Sequence, residues 1–78
     1  MSLRYSSNIN GGIKMELFEV ILETYDGDII EVDKQTFLED AVLVAKAIPV
    51  EEYKTITIFQ VDPYGKVEKV FNKEGEEI

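Results

Sequence analysis

TFLEDAVLVAKAIP, residues 36–49, is the stretch whose reading decides the fold. It carries the helical period of the chain, and a β-hairpin pattern lies on either side of it. At about 100° per residue, Phe37, Ala41, Val44, Ala45 and Ile48 form one apolar stripe, flanked by Leu38 and Val42. Glu39, Asp40 and Lys46 fall on the far side, and Leu43 points away from the stripe. Thr36 followed by Glu39 predicts a capping box, with Asp33 as a competing N-cap. Acidic residues in the first turn and Lys46 in the last match the helix macrodipole. Pro49 disfavours the α conformation at Ile48, so the helix stops there. The small Ala41 and Ala45 in mid-stripe let the helix axis approach a sheet closely.

Upstream, ELFEVILETY (residues 16–25) alternates with period two and predicts a strand, followed by a second at Ile29 to Asp33. A two-residue Asp26-Gly27 turn would pair Leu22 with Glu31 and Val20 with Asp33, placing acids among core residues. A three-residue loop, Tyr25-Asp26-Gly27 with Gly27 left-handed, pairs Leu22 with Ile30 and Val20 with Val32. Burial selects the three-residue loop, because a one-residue slip turns every side chain to the other face.

Downstream, Pro49 to Tyr53 reads as a short connection, with one helical turn begun by Pro49. Lys54 to Asp62 is the third strand and Val67 to Asn72 the fourth, joined by Pro63-Tyr64-Gly65 with glycine again left-handed. Residues 22–32 and 60–70 align around their glycines, a weak internal echo. The fold class is therefore α+β, ββαββ, with a four-stranded sheet and the helix on one face. Order 2-1-3-4 is favoured because it makes every neighbour antiparallel; order 1-2-3-4 with a parallel central pair is the alternative. The domain is expected over residues 15–73. Residues 1–14 read as a flexible leader, partly of expression-vector origin, with Met15 a candidate natural initiator. Residues 74–78 read as a polar, frayed tail.

The chain has 78 residues, near the lower size at which one core suffices, and no cysteine to reinforce it. A soluble cytoplasmic protein is expected, since no run reaches the length of a membrane span and no signal peptide pattern precedes the domain. The net charge of −8 is unevenly placed. Residues 15–53 carry −9 and residues 54–73 carry +2. A solubilising surface explains this most simply; a basic partner or mimicry of nucleic-acid charge are the sharper readings.

Catalysis has little support, because the sequence contains neither histidine nor cysteine and its serines lie in the leader. Asp26-Gly27-Asp28 lacks the ligand run and closing glutamate of a calcium loop, and Gly11-Gly12 precedes a strand rather than a helix. No cofactor or metal is expected.

The sheet faces are more informative. The expected register places Phe18, Val20, Leu22, Ile30, Val32, Ile56, Ile58 and Val70 toward the helix. It places Leu17, Ile21, Ile29, Phe59, Val61, Val67 and Phe71 on the opposite face, beside Glu19, Glu23, Glu31 and Lys69. A face open to water should be cleanly polar, and this one is not. Either the leader or the Pro49 to Tyr53 connection covers it, or another chain does. The expectation is a homodimer, or contact with another protein, through Phe59, Val61, Val67, Phe71, Ile21 and Lys69. Phe59, Lys69 and Phe71 together also suggest stacking of single-stranded bases, which the acidic charge opposes.

Overall fold

The computed structural model describes residues 16–78, so the leader expected over residues 1–14 lies outside the described residues. Strand β1 (Leu17–Glu23) and strand β2 (Ile29–Gln35) form the first hairpin. Helix α1 (Leu38–Ala47) follows, then a 3-10 turn (Val50–Glu52) begun by Pro49. Strand β3 (Thr55–Val61) and strand β4 (Val67–Phe71) form the second hairpin. The sheet order is β2-β1-β3-β4 with every pair antiparallel, and α1 lies over β1, β2 and β3. This is the expected ββαββ architecture in the favoured order.

Both hairpins turn as their local chemistry demands. Gly27 and Gly65 have φ of 93° and 87°, the left-handed conformation that closes a three-residue loop. At the base of each loop a side-chain oxygen accepts a backbone N–H four residues on: Thr24 Oγ1 from Asp28 at 3.0 Å, and Asp62 Oδ1 from Lys66 at 2.9 Å. The same device occurs a third time. Asn72 Oδ1 accepts the Glu76 N–H at 2.9 Å around Lys73-Glu74-Gly75, with Gly75 at φ 86°. Residues 76–78, expected to fray, instead turn back along the outer edge of β4. There Phe71 and Glu77 form an antiparallel bridge, and the Ile78 N–H donates to the Val70 carbonyl at 2.9 Å.

Three local expectations need correction. The capping box does not form: the N-cap is Phe37, extended at φ −120° and ψ 143°, with no side-chain cap, and neither Thr36 nor Asp33 fills the role. Phe37 therefore stands before the first turn and is not carried by the helical period onto the core; it is 60% exposed. The working stripe starts at Leu38 and runs through Ala41, Val42, Val44 and Ala45.

The third correction is to register, and it occurs in both hairpins. Near its turn β2 pairs as expected, Leu22 with Ile30, but Val20 then faces Asp33, leaving Val32 as the extra residue of a β-bulge. In the second hairpin Val61 pairs with Val67 as expected, but Gln60 faces Lys69, so Glu68 is extra. Beyond that bulge every side chain of β4 changes face. Phe71 now stands beside Ile58 and Val20 under the two alanines, where it is 8% exposed. Its ring centroid lies 6.1 Å from that of Phe18 at a tilt of 57°, a favourable aromatic geometry. The bulge puts the larger apolar side chain of the Val70-Phe71 pair where α1 excludes water.

Candidate functional site

Residues directly opposed in an antiparallel ladder share a face, so the observed register fixes the composition of the helix-free side. Leu17, Glu19, Ile21 and Glu23 of β1 lie there, opposite Val61, Phe59, Thr57 and Thr55 of β3. From β4 come Val67 and Val70, the latter opposite Phe59. From β2 come Ile29, Glu31 and, beyond the bulge, Lys34 opposite Glu19.

Of the six residues expected to form the interface, Phe59, Val61, Val67 and Ile21 share this face. Lys69 and Phe71 do not: Lys69 opposes Gln60 and Phe71 opposes Ile58, both on the helix side. Val61 is only 5% exposed, so it offers little free area. Val70 takes the place that Phe71 was expected to hold. Strict alternation missed it, because an inserted residue reverses parity without leaving a motif.

Phe59 sits at the middle of this surface, half-buried, with Val70 beside it on β4 and Glu19 on β1. A shallow groove of about 310 Å³ runs from Phe59 past Thr57, Ile21 and Thr55 to Ile29. Its wall is apolar apart from two threonine hydroxyls and Glu23. Lys34 Nζ lies 3.7 Å from Glu31 Oε2, and both groups are about half exposed, so the pair contributes little to stability. Its placement matters more, since it sets one positive charge among Glu19, Glu23 and Glu31.

Tyr53, in the connection before β3, is buried although the sequence pattern gave it no core role. Lys73 Nζ approaches its hydroxyl at 3.2 Å and its ring centroid at 5.8 Å, tying the connection before β3 to the third turn. Among the described residues no group of three acidic side chains is arranged to hold a metal, and no helix is long and apolar enough to cross a membrane. Comparison with protein-family models, curated proteins and solved structures finds no significant match. What defines the chain is thus its own architecture, a small α+β domain with one sheet face left open by its helix.

Proposed function

We propose that this domain acts by binding protein, and that its helix-free sheet face joins two copies about a two-fold axis. The observation that carries the reading is the row Ile21, Phe59, Val67 and Val70, which the register gathers on the side that α1 does not cover. A two-fold axis presents the same patch to itself, the commonest closed symmetry. A contact of standard size would bury about 800 Å² of each chain, with the aromatic Phe59 as its energetic centre.

Charge sets where the axis lies. Glu19, Glu23 and Glu31 would repel their copies if β1 stacked on β1, whereas the β3–β4 half of this face carries no acid in its ladder. An axis near Phe59 and Val70 avoids that repulsion, and among the described residues Lys34 is the cation on this face that can meet a glutamate across the contact. A reducing, cytoplasmic location belongs to the same reading, since the sequence has no cysteine to oxidise.

The competing stack of single-stranded bases is weaker. The two aromatics and the lysine that suggested it are now divided between opposite faces, leaving Phe59 alone.

Sedimentation velocity across the micromolar range tests the dimer. Wild type should pass from monomer to dimer with concentration, and Phe59→Glu with Val70→Glu should remain monomeric with an unchanged far-ultraviolet spectrum. A wild type that stays monomeric at high micromolar concentration overturns the proposal.

A further inference from the structure

The two edges of the sheet are finished differently. The outer edge of β4 is closed by the chain itself: the Val70 carbonyl accepts from Ile78 at 2.9 Å, and the Asn72 N–H donates to the Glu76 carbonyl at 2.9 Å. The outer edge of β2 has no such cover among the described residues. Its geometry specifies which groups remain free. The Thr24 N–H donates to the Asp28 carbonyl at 2.9 Å, so Asp28 directs its backbone toward β1. Alternation then turns Ile30 inward and directs the N–H and C=O of Ile29 and Glu31 away from the sheet. Further along, the Lys34 N–H would be the next outward donor, but the Asp33 carboxylate takes it at 2.8 Å. With the bulge at Val32, this closes the far half of the edge to strand pairing.

What is left is a four-residue window, Asp28 to Glu31, with both outward backbone pairs available. Ile29 is 68% and Ile30 46% exposed, and the window ends in an acid on each side. We infer that the β2 edge accepts a short extended segment of another protein with the pattern basic–apolar–apolar–basic. The pattern follows from register. A strand added here sets one residue opposite each of Asp28, Ile29, Ile30 and Glu31, on the same face as its partner. Basic residues answer the two acids, and apolar residues cover the two isoleucines. The order reads the same from either end, so the preference holds for a parallel or an antiparallel guest.

A second copy of this chain is excluded as the guest by charge. Self-pairing centred on the window would bring Asp28 and Glu31 of both copies into one short ladder, and like charges directly opposite are destabilising. Ile29 and Glu31 also lie on the helix-free face, but the guest pairs with the outer backbone of β2, across the sheet from the β3–β4 half where the proposed axis runs.

The test is nuclear magnetic resonance titration of the full chain with blocked hexapeptides containing Lys-Val-Val-Lys, Glu-Val-Val-Glu or Val-Lys-Lys-Val between serines. The first should shift the amides of residues 28–31 at millimolar peptide, and bind at least about fivefold more tightly than either control, since both end pairs change sign or register. Asp28→Lys with Glu31→Lys leaves the backbone edge intact and should invert the preference toward the glutamate peptide. Ile29→Pro removes an outward donor that β1 does not use and should abolish the response to every peptide. The inference is overturned if residues 28–31 do not respond, if the three peptides act alike, if charge reversal leaves the preference unchanged, or if the shifts centre on Phe59.

Discussion

Replacing Phe71 with alanine separates the observed register from the one that strict alternation predicts. In the structure Phe71 is 8% exposed and packed on Val20, Ile58, Ala41 and Ala45, with Phe18 at 6.1 Å. Removing a buried phenylalanine costs about 3–5 kcal/mol, of which the aromatic pair accounts for about 0.5–1.5 kcal/mol. The core cannot absorb that easily, because its largest fully buried side chains are only Ile58 and Val20. A chain of 78 residues has roughly 4–12 kcal/mol of total stability at about 0.05–0.15 kcal/mol per residue, so the loss is a large share of it. In urea, with a slope of about 1 kcal/mol/M, the midpoint should fall by roughly 3 M or more. Phe59→Ala, on the half-buried open face, should cost about 1 kcal/mol or less in the monomer. Both variants are compared by urea denaturation at the lowest workable concentration, since association would add stability by mass action. A Phe71→Ala cost under about 1 kcal/mol, with Phe59→Ala unfolding the chain, would refute the placement of Phe71 in the core.

Alanine substitutions in the turns and a deletion at the bulge probe the remaining features. An alanine Cβ at Gly75 would lie 2.9 Å from Val42 Cγ2, whereas one at Gly27 would meet nothing within 4 Å. Both positions pay about 1–2 kcal/mol for a left-handed alanine, so Gly75→Ala should be the more destabilising, and should speed exchange of the Ile78 amide; equal costs by urea denaturation would deny the packing of the third turn on α1. Deleting Glu68 removes the extra residue of the β4 bulge yet leaves Phe71 opposite Ile58. The shortened chain should fold with stability within about 1 kcal/mol of wild type by the same assay, and a chain that fails to fold would show that the bulge itself is required.

The sequence by itself determined what depends on neighbours along the chain. Gly27 and Gly65 specify their loops because a left-handed residue is needed there, and Pro49 ends the helix, whose C-cap Ile48 is extended at φ −83° and ψ 126°. The alternating residues of β1 and β3 and the two alanines of α1 favour the antiparallel order and the covered face, and the structure decides for that order over the one with a parallel central pair. The third turn was legible in principle, since Asn72-Lys73-Glu74-Gly75-Glu76 repeats the chemistry of the first two, but its packing on α1 was not.

Tertiary structure decided everything that lies beyond an inserted residue. Nothing local to Val32 or Glu68 announces a bulge, because the gain is made elsewhere, by moving Phe71 from the open face to the space beneath Ala41 and Ala45. Period-two counting therefore gathered Ile21, Phe59 and Val67 correctly and assigned Phe71, Lys69 and Val70 to the wrong sides. Thr36 misled for a similar reason. Its spacing to Glu39 satisfies a capping box, but the chain bends after β2 at Thr36, Phe37 takes the extended N-cap position, and the helix begins one residue later than that box requires. Burial of one large ring across the sheet outweighs strict alternation in β4, and that balance is set only once the strands and the helix are in contact.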